Sequence, residues 1–459
     1  MRSLLAIARL TFKSAFRFRL VPLLAVLLIG AVFLLPSTIK DDGTARGLTQ
    51  IVLTYTLGIT IAVLGLTTLW LACGTLARDI DDCTIQIVVV KPVARWQIWL
   101  GKWCGLMLVN LLLLTLATGV IYAQLLWRAR RLPPAQQEVL RNEIFTARGS
   151  FKAAPINFEP EVQKRYQERL ASGQIANMDR AEALKIIRAK VKGEIQEVAP
   201  GFGRRWDIDM SSVANSVRGQ PLFIRAKFFA SEKSPSGTYT AIWEAGPPDS
   251  PDRVRAVRSQ AAETYYEMTL PPNLLDDKGI LHVRFYNTND AALLFPLEDG
   301  FEVLYREGSF TLNYVRGIAV IFCWLALIAA VGLAAASYMS FPVAAFVSLA
   351  MLVVVFSSGT MNTVIEQGGI REVNHDTGVI DVPNIFDRAT VVFFKGLLAA
   401  VNLVKDFSPV DALSSGRSIT WGTLARAVGQ IVLLIGGLVA AVGIAIFNRR
   451  ELATAQGKS

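Results

Sequence analysis

The amino-acid sequence predicts an α-helical polytopic membrane protein with six transmembrane helices and an inserted extracytoplasmic α+β domain. Of its 459 residues, 52% are hydrophobic and only 18% are charged, a composition too apolar for an ordinary soluble enzyme of this length. Six apolar runs approach or exceed the roughly 18 residues that indicate a membrane span. Between the third and fourth runs, from Arg128 to Arg316, the sequence becomes polar and then strand-like.

The predicted spans form two groups of three. They are Leu20–Leu35, Ile51–Leu76 and Cys104–Trp127, then Val315–Ala336, Phe341–Ser358 and Val428–Phe447. The first span is short and has a basic leader, but no small-residue cleavage pattern follows it, which favours an uncleaved anchor over a signal peptide. In the leader, apolar residues from Leu4 to Phe16 recur at helical spacing. They predict a helix lying in the inner membrane interface, or alternatively a plain basic flank.

Orientation follows from Lys and Arg in the short connections, because these residues resist translocation. The leader 1–19, the loop 77–103 and the tail 448–459 hold 12 bases and 4 acids, whereas segments 37–50 and 361–427 hold 8 bases and 9 acids. We therefore expect both termini in the cytoplasm and the insert outside, as suits a bacterial inner membrane facing a periplasm. Most of the net charge of +10 lies beside the spans, where membrane lipid explains it, so no nucleic-acid partner is expected.

This threading divides the chain into an N-terminal membrane segment (1–127), the extracytoplasmic domain (128–312) and a C-terminal membrane segment (313–459). Within the insert, charges at helical spacing predict helices over 133–200, and alternating apolar and polar residues predict a β-sandwich or jelly roll over 203–310. All four cysteines lie in spans or on the predicted cytoplasmic side. The outward domain therefore has no disulfide framework.

The sequence contains no convincing catalytic set. The two histidines, His282 and His375, belong to no HExxH motif, and neither a GxSxG elbow nor a GxxxxGK[ST] phosphate-binding loop occurs. Acidic residues between Asp276 and Asp290 could chelate calcium, but Asx residues also favour turns for backbone reasons. No ionisable side chain lies at the middle of a predicted span, where proton-coupled transporters carry one. No catalytic residue, metal site or cofactor is predicted, so energy for any transport would come from another chain.

The loop 77–103 is a candidate for contact with such a chain. Its candidate coupling residues are Arg78, Asp79, Asp82, Lys91, Pro92, Arg95 and Lys102. Proline lacks an N–H and disfavours helix at the preceding residue, so one helical segment should end near Val90 and another should begin at Pro92. A short helix tied at both ends to membrane helices would transmit the movement of a bound partner. The bases could instead be positive-inside anchors alone.

A second outward segment, 361–427, contains an apolar stretch too short to span a bilayer. Arg388, Lys395 and Asn402 are seven residues apart and so lie on one narrow stripe of a helix. This pattern predicts a helix that lies in the outer interface or re-enters the membrane. A small amphipathic helix packed on the ends of the spans is the alternative.

The arrangement resembles the permease subunits of type-2 ABC transporters, especially the branch associated with multicopper-enzyme maturation and gliding-type export. The similarity covers 1–127 and 313–451, with a basic N-terminal helix, six spans and the loop "DIDDCTIQIVVVKPVARWQIWLGKWCG". The matched positions are Asp79, Thr84, Lys91, Pro92, Arg95, Gly101 and Lys102. Many relatives carry Glu where this loop begins with Arg78 and Asp79, and the insert is longer than in compact members.

The resemblance implies that the loop is a coupling helix for a separate ABC ATPase subunit, which would hold ATP and Mg²⁺. It also implies a second permease copy or a paralogue, and export as the usual direction. A hypothesis from another class is a non-transporting anchor or receptor that displays the domain at 128–316. A membrane-embedded enzyme is a third, weakened by the lack of a catalytic set.

Overall fold

The structure is a computed structural model of the full chain. It describes residues 2–17, 20–39, 44–85, 87, 93–140, 144–175, 180–248, 253–356, 385–405 and 407–450. The chain divides into two compact units. The helical unit comprises Met1–Thr146 and Ser309–Ser459, and the β unit comprises Ala147–Gly308.

Most of the described residues are helical. The helices are α1 (Arg2–Arg17), α2 (Leu20–Thr38), α3 (Ala45–Asp81), α4 (Arg95–Ala129), α5 (Pro134–Val139), α6 (Glu159–Ala171), α7 (Arg180–Gln196), α8 (Ala214–Val217), α9 (Phe310–Ala336), α10 (Phe341–Phe356), α11 (Ile385–Lys405), α12 (Pro409–Ser414), α13 (Trp421–Ala427) and α14 (Gly437–Arg449). A π-helical segment, Val428–Gly436, joins α13 to α14 into one long helix. Thr44 is the N-terminal cap of α3 and Thr420 is that of α13, and the side chain of each accepts a hydrogen bond from a backbone N–H in the first turn.

Among the described residues, four helices are long and apolar enough to cross a membrane. They are Gly47–Asp81, Arg95–Ala129, Phe310–Ala336 and Trp421–Arg449. They contain the second, third, fourth and sixth predicted spans. The first predicted span lies in α2, which counts as a fifth crossing when taken with α1 as a bent pair, and the fifth lies in α10, a shorter apolar helix. The length and composition of the helices are those of a multi-pass membrane protein.

Close backbone contacts place α1 on α4. A Cβ added to Gly101 would lie 2.8 Å from Ile7 Cβ, and one added to Gly105 would lie 2.7 Å from the Ala8 carbonyl oxygen. Two glycines four residues apart lie on the same helix face and allow a second helix to approach closely. The sequence "GKWCG" therefore marks the seat of the N-terminal helix.

The described residues of the β unit form eleven strands. They are β1 (Thr146–Phe151), β2 (Glu197–Val198), β3 (Gly203–Asp209), β4 (Leu222–Ala226), β5 (Phe229–Ala230), β6 (Thr238–Ala245), β7 (Val254–Ala261), β8 (Tyr266–Leu270), β9 (Ile280–Asn287), β10 (Leu293–Leu294) and β11 (Phe301–Ser309). Two four-stranded sheets have the orders β1-β11-β4-β8 and β3-β9-β6-β7, and β2-β10-β5 form a small third sheet. β1 and β2 lie in the region for which the sequence predicted helices. The rest of that region contains the predicted helices α6 and α7.

The inward faces of the two larger sheets share one hydrophobic core. The Trp206 ring of β3 stacks on the Phe301 ring of β11, with ring centroids 4.3 Å apart. Trp243 of β6 meets Phe285 of β9 edge to face at 4.8 Å. Because β3 and β11 belong to different sheets, these rings join the two layers. The alternation of β9 is complete, since every second residue from Leu281 is buried.

Candidate functional site at the helix ends

The predicted coupling residues that the structure describes lie where four long helices begin or end. α3 ends at Asp81, α4 begins at Arg95, α9 ends at Ala336 and α14 ends at Arg449. The carbonyl groups in the last turn of a helix and the N–H groups in its first turn have no partner within the helix. Side chains from neighbouring helices satisfy several of them here.

Lys102 ties α4 to the end of α3. Its Nζ donates to Asp79 Oδ2 at 2.5 Å and to the Thr75 carbonyl oxygen at 2.6 Å. Lys102 is 6% exposed, whereas the Asp79 side chain is 42% exposed. A buried ammonium group is costly without an anionic partner and further hydrogen bonds, and both are present. The sequence placed these residues 23 positions apart in one loop, and the structure brings them into contact.

Arg95 holds the end of the last helix. Its guanidinium donates to the carbonyl oxygens of Phe447 at 2.9 Å, Asn448 at 2.8 Å and Arg450 at 2.8 Å. These acceptors lie at the C-terminal end of α14, where the helix dipole also favours a cation. The contact joins residues more than 350 positions apart in the chain. Arg95 therefore binds a specific part of the protein, in addition to any role as a positive-inside anchor.

A second cap continues this connection. Arg450 donates to the carbonyl oxygen of Ser337, the C-terminal cap of α9, at 3.2 Å. On the other side, the Arg78 guanidinium lies over the Phe341 ring at 4.5 Å, which links α3 to the start of α10. Arg78, Arg95 and Arg450 therefore each bind an element other than their own.

The beginning of the loop is anchored but open to solvent. Cys83 follows the helix end with φ of 59°, a left-handed conformation that stops α3 without a glycine. Ile85 is 2% exposed and packs among the helices, whereas Ile87 is 71% exposed. Asp82, the C-terminal cap of α3, is also exposed. Lys91 and Pro92, and the predicted break at Val90, lie outside the described residues.

Two tryptophans of α4, Trp99 and Trp103, contact other helices, whereas Trp96 is 45% exposed. Trp99 is completely buried, and it lies against Gly443, where a Cβ would come within 3.3 Å of the indole Nε1. Trp103 donates through its indole N–H to the Ala326 carbonyl oxygen at 3.0 Å. Sequence reasoning missed these packing contacts and the close approach at Gly101 and Gly105, although the Gly-x-x-x-Gly spacing indicated the latter.

The second set of predicted residues lies on α11. Lys395 and Asn402 are exposed on this helix, and Arg388 belongs to it. Val392 is 71% exposed and Phe393 is 64% exposed, so α11 presents large apolar side chains as well. Its apolar stretch, Ala389–Ala399, is too short to cross a membrane. These properties are those of an amphipathic helix.

The β unit has a polar cluster that sequence reasoning did not assemble. The His282 ring lies between two carboxylates, with Nδ1 at 2.6 Å from Asp207 Oδ1 and Nε2 at 3.3 Å from Asp276 Oδ2. Partial burial raises the pKa of Asp207, but hydrogen bonds from His282 and Arg205 outweigh it and hold that pKa below its usual value. Asp276 also accepts from the backbone N–H groups of Lys278 and Ile280, as expected for a turn.

Comparison of the chain with protein-family models, with curated proteins and with solved structures finds no match. The assignment of function therefore depends on the geometry of the helix ends and on the resemblance carried by the loop.

Proposed function

We propose that the chain is the permease subunit of a type-2 ABC transporter, driven by a separate ATPase that docks on the loop after α3. The observation that carries the proposal is the combination of an anchored and an exposed section in this loop. Ile85 fixes the loop to the helices, while Asp82 and Ile87 remain exposed. An exposed section that is held at one point by a buried residue is available to a protein partner.

The contacts at the helix ends would carry movement from that partner into the helices. Displacement of the loop acts directly on α3 and, through Lys102 and Asp79, on α4. Arg95 passes the displacement to α14, and Arg450 passes it to α9. For an ATPase to drive transport, it must bind two arrangements of these helices with different free energies. The proposal assigns export as the direction, with a second permease copy or a paralogue completing the pore.

The same proposal places six spans in the membrane, with α2 and α10 as the first and fifth, and the loop on the cytoplasmic side. It also treats the β unit as an extracytoplasmic jelly roll. The strand pairing supports this topology, because the eight long strands pair from the outside inwards, β1 with β11, β3 with β9, β4 with β8 and β6 with β7. A long hairpin folded over itself produces this nested order.

The side on which the loop lies is tested through Cys83. It is an exposed cysteine on the loop, whereas Cys73 and Cys323 are buried and Cys104 is partly buried. We expect a membrane-impermeant maleimide to label Cys83 only after cells are permeabilised, with Cys83→Ser as the control. Labelling in intact cells would refute the proposed orientation and the coupling mechanism with it.

Docking is tested by purifying the tagged chain from its native membrane and measuring the co-purified ABC ATPase and its ATP hydrolysis. We expect the double change Asp82→Lys with Ile87→Asp to lower both by about tenfold or more, a loss of about 1.4 kcal/mol. Lys395→Glu, an exposed charge change on α11, should leave both unaltered. If no ABC ATPase accompanies the wild-type chain, the non-transporting anchor that displays the β unit replaces this proposal.

A further inference from the structure

The sheet β3-β9-β6-β7 has an outer face whose side chains do not enter the core. On β9, Leu281, Val283 and Phe285 are buried in the core, so His282, Arg284 and Tyr286 lie on the opposite face. Arg205 on β3 and Arg255 on β7 belong to the same face by register. Their side chains are 45% and 66% exposed.

The register places charged residues in one row across this face. Arg205 is directly opposite Arg284, Arg284 is directly opposite Glu244, and Glu244 is directly opposite Arg255. The row therefore contains three arginines and one glutamate. Like charges directly opposite each other destabilise a sheet, so the pair Arg205 and Arg284 opposes folding.

The acids near this row are already engaged. Glu244 binds Arg253 through Oε2 and lies 3.7 Å from Arg255 Nε through Oε1. Asp207 binds Arg205 at 2.7 Å and His282 at 2.6 Å.

Arg284 is the exception in the row. Within the stretches of the chain that the structure describes, its guanidinium has neither an ion pair nor a hydrogen bond, although the residue is half-buried. A guanidinium group has five N–H donors in a planar fork that matches the oxygens of carboxylate or phosphate. The neighbouring Arg205 has donors to spare, because its Nε donates to Asp207 and only one Nη lies near another polar atom, 3.2 Å from His282 Nδ1.

We propose that Arg284 and Arg205 form a binding site for an oxyanionic group, a carboxylate or a phosphate, on the outer face of this sheet. An anion between the two guanidinium groups removes their repulsion and satisfies Arg284. The adjacent row of Tyr286, Ile242 and Val257 is apolar except for the tyrosine hydroxyl and can contact the carbon skeleton of the ligand. The site lies entirely within the β unit and is independent of the proposed transport function.

The site is tested by calorimetric titration of the full chain in detergent micelles at low ionic strength. Two probes are used, inorganic phosphate and the peptide triglutamate. We expect wild-type protein to bind at least one probe and Arg284→Gln to bind it at least tenfold more weakly, with Arg284→Lys intermediate because lysine lacks the planar fork. Arg258→Gln is the matched control, since Arg258 is exposed on β7 opposite the buried Ala241 and hence on the other face.

Binding of phosphate alone identifies a free or terminal phosphate as the ligand, and binding of the peptide alone identifies carboxylates. Without a probe at low ionic strength, Arg284→Gln should leave the unfolding midpoint of the β unit unchanged or raise it, because it removes like-charge repulsion. Arg205→Gln provides a second variant should Arg284→Gln fold poorly. Absence of binding to wild-type protein, or equal loss in Arg258→Gln, overturns the proposal.

Discussion

One contact region in each unit illustrates a different way of packing closely. The β unit fills its core with large rings. The ring centroids of three of them, Trp206, Trp243 and Phe301, lie within 6.2 Å of one another. The helical unit instead removes side chains at the contact, so that α1 meets α4 across Gly101 and Gly105. Large rings gain stability from the burial of apolar area, whereas small residues gain it from close backbone contact.

The units also differ in how they treat buried charge. In the β unit, Arg148 and Glu267 form a bidentate pair in which both side chains are nearly buried, at 5% and 11% exposure. In the helical unit, Lys102 is buried but Asp79 keeps contact with solvent. Removing the exposed partner of such a pair should cost more stability than removing the buried one. The buried charge left behind cannot reach water, whereas an exposed charge left behind can.

The largest expected effect tests the aromatic core. Trp243→Ala removes a fully buried ring and should destabilise the β unit by about 3–5 kcal/mol. The full chain is unfolded in increasing denaturant, and cleavage of the β unit by a protease is measured at each concentration to give this loss. Val257→Ala, at a position that is 59% exposed on the same sheet, is the control and should change stability by less than about 0.5 kcal/mol. Similar effects from both would show that the rings do not dominate this core.

The next effect tests the unequal ion pair. Asp79→Asn leaves the buried Lys102 without its anionic partner and should destabilise the helical unit by about 3 kcal/mol. Lys102→Met should cost less, because the remaining carboxylate is 42% exposed, and the double variant should recover some of the loss. Thermal inactivation in detergent and a double-mutant cycle measure these differences. Equal losses of stability from Asp79→Asn and Lys102→Met would contradict the prediction that the buried charge matters more.

A smaller effect tests the glycine contact. In Gly105→Leu, even the new Cβ would lie 2.6 Å from Thr11 Cβ. The change should therefore destabilise the packing of α1 on α4 by about 1–3 kcal/mol. Gly119→Leu changes the same helix where nothing lies within 4 Å, and should be neutral or stabilising because Leu favours helix. Protease protection of α1 reports the difference. Tolerance of both changes would remove the role assigned to the close approach.

The smallest effect lies in the sheet core. Gln260 is 3% exposed, and neither atom of its amide has a hydrogen-bond partner among the described residues. Gln260→Met should therefore stabilise the β unit by about 1 kcal/mol. Asn287→Leu is the contrasting change, because the Asn287 amide donates to the carbonyl oxygens of Val198 and Ala291. Asn287→Leu should therefore destabilise the β unit. The unfolding midpoint should rise in Gln260→Met and fall in Asn287→Leu, and shifts of the same sign would contradict the prediction.

Local patterns in the sequence predicted local structure well. Alternation in "ILHVRFYN" predicted the strand that β9 forms, and the apolar runs predicted the four long helices. The described part of the fifth predicted span, Phe341–Phe356, is helical throughout. The strand β1 was missed because its sequence, "TARGSF", shows no alternation of apolar and polar residues.

The candidate site was only partly predicted. Loop position and charge indicated Arg78, Asp79, Arg95 and Lys102, but not which groups they bind. The contact between Arg95 and the end of α14 depends on how two distant helices pack. No local propensity carries that information, because contacts across hundreds of residues arise only when the whole bundle forms.

By itself, the amino-acid sequence determined that the chain is rich in apolar helices and where the polar insert interrupts them, since hydropathy and periodicity are local properties of the chain. Tertiary structure alone decided that Lys102 is buried against Asp79 and that Arg284 lies opposite Arg205 without an ion-pair partner among the described residues. The physical reason is that the energy of a charge depends on its burial and its neighbours. Both are set by packing and strand register between segments far apart in the chain.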